Sequence, residues 1–187
     1  MENIEESRKI YIVISQTGTV LSRILKVITG AEYNHVSLCL SRDLELMYSF
    51  GRKNPYNPFY GGFVLESPNF GTFKRFVNTK VKVISIDVDE ETYDQIKQRL
   101  EYMLLNKNEF GYNYLGLYLA ALKIRFTVKN RYFCSEFVKD VLLNSNITDA
   151  ACLVDIAIPR PIDFLAIPNT NTVYIGKLQD YKLTVTV

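Results

Sequence analysis

The chain has 187 residues, of which 48% are hydrophobic and 22% charged, with 22 Lys and Arg against 20 Asp and Glu. This length and composition are typical of one globular domain, here residues 1–187, with a core of ordinary size. The formal net charge is only +2, and the basic residues are scattered along the sequence. This distribution indicates neither a nucleic-acid-binding surface nor a surface for anionic membranes.

The sequence predicts a cytoplasmic protein without stable membrane insertion. Residues 1–8 are polar and acidic and lack the apolar run of a signal peptide, and no stretch is long and apolar enough to cross a bilayer. The three cysteines have no framework spacing, which indicates free thiols in a reducing compartment rather than disulfides.

The first half of the chain is predicted to be mainly β-structure. Apolar and β-branched residues predict strands at residues 9–15, 34–41, 44–50 and 80–88, with a shorter one at 63–66. Between the first two, Leu21, Ile24, Leu25 and Ile28 recur at helical spacing and predict an amphipathic helix at residues 20–29. A tight hairpin is expected at residues 41–43. Residues 51–62, rich in Gly, Pro and aromatic side chains, are expected to form a long loop.

The second half is predicted to be mainly helical. Asp89 is expected to cap a helix at residues 90–106, and residues 113–123 are so uniformly apolar that the sequence predicts a buried helix. A third helix is expected from Cys134 to about residue 143, followed by one turn near residues 162–165 and a last strand at 173–178. The order of strands, helices and strand predicts an α+β fold.

Cys134 lies where a polar stretch gives way to the apolar, helically spaced residues Phe137, Val138, Val141 and Leu142. A cysteine in this position falls at a helix N-terminus, where unpaired backbone N–H groups and the helix dipole stabilise negative charge. Such surroundings favour the thiolate, which is the nucleophilic form of a cysteine. Cys134 is therefore a candidate nucleophile.

His35 is the single histidine of the chain and lies in a predicted strand. A strand-borne imidazole facing a helix-end thiol is the arrangement of cysteine hydrolases and acyltransferases, in which the histidine accepts and returns a proton. A third group must orient the far ring nitrogen. We expect it on the following strand, where Glu45 is the better acceptor and Ser49 the alternative.

An oxyanion formed at Cys134 would be held by the backbone N–H of Cys134 and one further donor. Gln16, at the end of the first strand, and Tyr33, just before the histidine, are candidates for this donor. Tyr132 and Ser135, which flank Cys134 in sequence, are also assigned to oxyanion or substrate binding.

The structural alternatives are a Cys134 that serves as a small buried apolar residue and a His35 that is merely hydrogen-bonded in the core. Cys39 and Cys152 lie in apolar surroundings, and we expect both in the core. With one histidine and no CxxC, HExxH, GxGxxG or phosphate-loop motif, neither a metal nor a cofactor is predicted.

Residues 33–37 (YNHVS), followed far downstream by residues 132–138 (YFCSEFV), resemble the circularly permuted papain-like cysteine hydrolases. This group includes the YiiX-like proteins and is similar to the NlpC-type cell-wall peptidases and to lecithin:retinol acyltransferase. In the permuted group the histidine precedes the cysteine in sequence, as it does here. The resemblance covers residues 10–181. It implies a papain-like α+β fold with a mainly antiparallel sheet packed against helices, a Cys134 nucleophile and a His35 base.

Three functional hypotheses follow. The first is an amidase or peptidase that acts on an amide-bearing substrate through a thioester on Cys134. The second is an acyltransferase or lipid hydrolase, for which the apolar segment 113–123 and the aromatic segment 56–63 would line an acyl site. The third is a binding protein that keeps the fold with weak catalysis. Because no export signal is visible, cell-wall murein is not the expected substrate.

Overall fold

The computed structural model of the protein describes residues 7–17 and 32–185. Within these residues, strands form one open sheet. Its strands are β1 (Arg8–Gln16), β2 (His35–Cys39), β3 (Met47–Asn54), β4 (Asn57–Glu66), β5 (Lys80–Val88), β6 (Gly111–Tyr112), β7 (Arg131–Tyr132) and β8 (Asn171–Lys177). Their order across the sheet is β7-β6-β4-β3-β2-β1-β5-β8. All neighbours are antiparallel except β6 and β7, which are parallel.

Helices cover this sheet. In the described part of the chain they are α1 (Gly71–Arg75), α2 (Glu90–Leu105), α3 (Tyr114–Ala121), α4 (Cys134–Asn144) and α5 (Leu178–Val185), with 3₁₀ turns at Thr148–Leu153 and Pro161–Ala166. The helix predicted at residues 20–29 lies outside the described residues. None of the helices described is long and apolar enough to span a membrane. The predicted mixed fold with a mainly antiparallel sheet and packed helices is confirmed.

The central strand β1 is buried on both of its faces. Ile10, Ile12 and Ile14 point into the larger core, which also contains the buried side of α4. Tyr11 and Val13 point into a smaller core on the opposite face of the sheet. A strand that is covered on both faces needs apolar side chains at every position, which explains its nearly continuous apolar run.

The packing of α4 on the sheet determines where its first residue lies. Phe137, Val138, Val141 and Leu142 are completely buried, and the helix packs against β2 and β3. These four positions follow the helical spacing of a single buried stripe. The same pattern that predicts the helix therefore also holds its N-terminus against the strand that carries His35.

Two strand connections differ from the sequence prediction. The loop predicted at residues 51–62 is wrong, because β3 and β4 form a continuous hairpin in which Gly51 pairs with Gly62 and Asn54 with Asn57. Gly and Pro usually interrupt strands, but here paired glycines leave room for neighbouring side chains. A Cβ at Gly61 would lie 2.6 Å from the Tyr114 hydroxyl. The predicted tight turn at residues 41–43 is part of a longer connection, residues 40–46.

Helix α3 is not buried as predicted. Leu115 and Tyr118 are 54% and 67% exposed, and Leu117, Leu119 and Ala120 are only half-buried. A sequence that is apolar on every side of a helix does not reveal whether one face or both faces are covered. Other helical predictions are confirmed: α2 begins after Asp89, whose carboxylate accepts a hydrogen bond from the Thr92 N–H at 2.6 Å.

Candidate active site

Cys134 is the first residue of α4, as its sequence surroundings predict. Its N–H belongs to the first helical turn, where backbone donors lack acceptors within the helix. The turn is fixed by Glu136, whose carboxylate accepts a hydrogen bond from the Phe133 N–H at 3.1 Å. The Cys134 side chain is 6% exposed and lines a cleft of about 240 Å³. A small electrophile can thus reach a sulfur that is otherwise enclosed.

His35 begins β2 and contacts Cys134. The position of His35 in the sheet is set by its pairing with Ser15 of β1. The imidazole lies close enough to Cys134 for the cysteine to raise its pKa, although the two residues lie about a hundred positions apart in the sequence. The fold therefore brings together the two residues that the sequence analysis selected as nucleophile and base.

Glu66, at the end of β4, holds the other side of the imidazole. Its Oε1 and Oε2 lie 3.0 and 2.9 Å from His35 Nε2. Ser37 donates a hydrogen bond to Glu66 Oε2 at 2.6 Å and so fixes the carboxylate. Because Nε2 faces the carboxylate, Nδ1 is the ring nitrogen that can face the Cys134 sulfur.

Gly51 makes this approach possible. The carboxylate of Glu66 must reach His35 across β3, which lies between β4 and β2 in the sheet. A Cβ at Gly51 would lie 3.2 Å from Glu66 Oε1 and 3.6 Å from His35 Cε1. A Cβ at this position would be in ordinary contact with His35 but tight against Glu66 and Val64, so the glycine leaves room for the Glu66 carboxylate beside the imidazole.

The surroundings of His35 raise its pKa well above 6.5. Burial is the largest single influence and lowers the pKa, since it disfavours a charged ring. The Glu66 carboxylate and Cys134 act in the opposite direction, through charge and hydrogen bonding, and together they outweigh burial. The arrangement therefore favours an imidazolium between a carboxylate and a sulfur.

The predicted third residue is corrected by the structure. Glu45 is exposed in the connection before β3 and does not approach the imidazole, while its N–H bonds to the Asp43 carboxylate at 2.9 Å. Ser49 is buried, but its hydroxyl donates to the Val36 carbonyl at 2.7 Å. Sequence reasoning missed Glu66 because the predicted loop separated residues 63–66 from the strand next to His35.

Of the four residues predicted to bind the oxyanion or the substrate, two line the cleft and two do not. Tyr33 and Ser135 line it, but the Ser135 hydroxyl donates to the Pro159 carbonyl at 2.6 Å and so has a structural partner. Tyr132 lies outside it, and burial together with the nearby Asp140 carboxylate raises the pKa of its hydroxyl. Gln16 ends β1 opposite Lys80 and does not line the cleft either.

Asn34 is a further site residue that sequence reasoning did not assign. It lines the cleft together with Cys134, and its buried side-chain Nδ2 has no hydrogen-bond partner among residues 7–17 and 32–185. Buried amide donors are nearly always paired, so an unpaired one beside Cys134 is a candidate hydrogen-bond donor to a ligand. The feature of the sequence that could have identified Asn34 is its polarity at the start of an otherwise apolar strand.

The rest of the cleft is mainly apolar. Its apolar lining comprises Tyr33, Tyr112, Leu117, Ala120, Phe133, Ile158, Pro159 and Pro161. Two cationic side chains, Lys123 and Arg160, also line it, and Arg160 is paired with Asp163 at 2.7 Å. Such a lining suits an apolar group next to the thiol, with polar recognition limited to a few positions.

The other two cysteines differ from Cys134. Cys39 is buried as predicted, and burial raises its pKa to about 11. Cys152, expected in the core, is instead exposed in a 3₁₀ turn. Neither has an imidazole partner in the described part of the chain. Across residues 7–17 and 32–185, no three His, Cys, Asp or Glu side chains are grouped closely enough to hold a metal ion.

No model of a known protein family matches the chain, and no curated protein shows significant sequence similarity to it.

Proposed function

We propose that the protein is a cysteine hydrolase that cleaves an amide or ester bond through a thioester on Cys134. The observation that carries this proposal is the Cys134–His35–Glu66 chain of contacts at a helix N-terminus. A thiol beside an imidazole that a carboxylate holds in place is the arrangement needed for nucleophilic catalysis.

Each chemical step has a residue to perform it. The Cys134 thiolate attacks the substrate carbonyl carbon, and the His35 imidazolium gives its proton to the departing amine or alcohol as the carbon–nitrogen or carbon–oxygen bond breaks. Water then attacks the thioester while His35 takes its proton, which releases a carboxylic acid and restores the thiolate and imidazolium. Glu66 stabilises the charged ring throughout without accepting its proton.

The fold supports a place in the circularly permuted papain-like group. A mainly antiparallel sheet packs against helices, and the histidine strand precedes the cysteine helix in sequence. The group usually places an acid, a histidine or an amide on the strand after the histidine; here Glu66 would take this role from β4 rather than from the strand that directly follows β2.

An acyltransferase or lipid hydrolase is the second candidate function. The observation that favours it is the mainly apolar lining of the cleft beside Cys134. In an acyl transfer, the acceptor alcohol or amine would replace water in the second step, and the same three residues would act. The two functions differ in substrate rather than in catalytic machinery.

Alkylation of Cys134 by iodoacetamide tests the proposal. The protein should carry Cys152→Ser, because Cys152 is exposed and would also react. We expect Cys134 to alkylate in the folded protein at pH 6 at least tenfold faster than in the urea-unfolded protein, since the imidazolium stabilises its thiolate. Cys134→Ala is the blank. A rate that rises only with the pH profile of the unfolded thiol would contradict the proposal.

Asn34 is expected to stabilise the oxyanion together with the Cys134 N–H. Asn34→Ala should slow acylation of Cys134 by p-nitrophenyl acetate roughly 10- to 100-fold, because one donor to the developing negative charge is lost. Alkylation by iodoacetamide forms no oxyanion and should be unchanged. Tyr33→Phe is the matched control, because Tyr33 is the one of the two donors predicted from the sequence, Gln16 and Tyr33, that lines the cleft. Equal acylation rates in Asn34→Ala and the parent protein would exclude this role.

A further inference from the structure

We propose that α3 and the β3–β4 hairpin form a surface that docks the protein on an anionic phospholipid bilayer beside the mouth of the Cys134 cleft. This docking surface consists of residues 56–60 and 114–128. Docking itself is independent of the chemistry of Cys134, whereas the use of a membrane lipid as substrate rests on the proposed function.

Exposed apolar side chains are concentrated on this surface. Ten of the seventeen large apolar side chains that are exposed in the described part of the chain belong to it. They are Tyr56, Phe59, Tyr60, Tyr114, Leu115, Tyr118, Leu122, Ile124, Phe126 and Val128. Single exposed apolar residues are ordinary, but a large group of them marks an interaction site.

The two parts of the surface are neighbours and adjoin the cleft. The Tyr114 hydroxyl approaches the backbone of Gly61 so closely that a Cβ there would lie 2.6 Å away. Leu117 and Ala120 of α3, and Lys123 just after it, line the Cys134 cleft. The docking surface and the cleft therefore share the segment 117–123.

The charge of the surface selects an anionic partner. Residues 51–65 and 111–133 contain six Lys and Arg and no Asp or Glu, although the whole chain has nearly equal numbers of both. These cations are Arg52, Lys53, Lys123, Arg125, Lys129 and Arg131. Glu136 and Asp140 line one pocket with Arg125, Lys129, Arg131 and Lys139, so cations outnumber carboxylates there as well. Lys53 also lies over the Tyr60 ring, with Nζ 5.7 Å from its centroid. Basic and aromatic side chains around an apolar face are typical of proteins that bind anionic membrane interfaces.

A second copy of the chain fits this surface less well. A two-fold dimer brings the same patch of both copies together. The like charges of residues 123–131 would then face one another, and Glu136 and Asp140 beside them are fewer than the cations. A phospholipid headgroup layer supplies further negative charge and also accepts the apolar side chains.

Vesicle co-sedimentation tests the proposal with the full chain carrying Cys134→Ala, so that turnover plays no part. We expect binding to vesicles of phosphatidylcholine mixed with phosphatidylglycerol, weaker binding to phosphatidylcholine alone, and loss of the difference at high salt. Leu115→Ser combined with Tyr118→Ser should reduce the partition coefficient about tenfold or more, because two apolar side chains no longer enter the bilayer.

Ile175→Ser is the matched control, since Ile175 is 62% exposed on β8 at the opposite edge of the sheet. Lys123→Gln combined with Arg125→Gln should weaken only the binding to phosphatidylglycerol vesicles. Absence of vesicle binding, or an equal loss in Ile175→Ser, would overturn the proposal. So would a dimer that dissociates in the Leu115→Ser/Tyr118→Ser protein without any vesicle binding, because the surface would then join two copies.

If the protein docks but Cys134 fails the alkylation test, the docking proposal stands and the proposed function falls. If Cys134 is reactive but the protein does not bind vesicles, the proposed function stands and the docking proposal falls.

Discussion

His35→Ala is expected to lower the rate constant for acylation of Cys134 by p-nitrophenyl acetate about 1000-fold, or roughly 4 kcal/mol, at pH 7. The imidazole is the group in contact with the thiol that can hold its proton, and the part of the chain described by the structure offers no second histidine. Release of p-nitrophenolate, corrected with Cys134→Ala, measures this rate.

Ser37→Ala is the matched control for His35→Ala. Ser37 is two residues away on the same strand and bonds to Glu66 rather than to the thiol. Its loss should change the rate far less, because the imidazole and the carboxylate both remain. Comparable losses in the two variants, or full activity in His35→Ala with an unchanged circular dichroism spectrum, would remove His35 from the mechanism.

Glu66→Gln is expected to lower the same rate about 100-fold at pH 7, since an amide cannot stabilise the imidazolium as a carboxylate does. The variant should also change the pH dependence. The Glu66 carboxylate is the largest influence that raises the pKa of His35, whereas burial lowers it. Without this carboxylate the pKa of His35 falls, so the alkaline limb of the pH–rate profile should move to lower pH.

The raised pKa of His35 also makes the free energy of unfolding depend on pH. The folded-state pKa of His35 is raised, so the contribution of its protonated form to the free energy of unfolding is complete below about pH 6.5. That contribution is lost as the pH rises through the raised folded-state pKa. Glu66→Gln should remove most of this dependence, which urea denaturation at several pH values would measure.

Glu45→Gln is the control for Glu66→Gln. It changes an exposed carboxylate that the sequence favours as the orienting group but that lies away from the imidazole. We expect its rate and pH profile to match those of the parent protein. A profile altered by Glu45→Gln and unaltered by Glu66→Gln would reverse the assignment of the third residue.

The sequence predicts Cys134 and His35 as site residues because the residues next to each of them in sequence mark it out. Cys134 precedes a helical apolar stripe, and His35 is a polar residue in an apolar strand. Glu66 has no such signal, because its contact with His35 depends on the β3–β4 hairpin and on the absence of a side chain at Gly51. Register across three strands is a property of the folded sheet and is not encoded in a short segment.

The docking surface, like Glu66, could not be predicted from the sequence alone. The basic residues appear scattered along the sequence, yet Lys53 and Arg131 lie beside the paired glycines Gly62 and Gly111. The apolar segment 113–123 correctly predicts a helix, but its burial depends on what packs around it. Local propensity determines elements, whereas the partners of each element are decided by tertiary packing.

The most direct test of the proposed chemistry is to trap the acyl-enzyme. The Cys152→Ser protein, treated briefly with p-nitrophenyl acetate and quenched in acid, should gain one acetyl group by intact mass. Peptide mapping should locate it on Cys134, and neutral hydroxylamine should remove it, as expected of a thioester. An adduct at another residue, or equal labelling of Cys134→Ala, would contradict the mechanism.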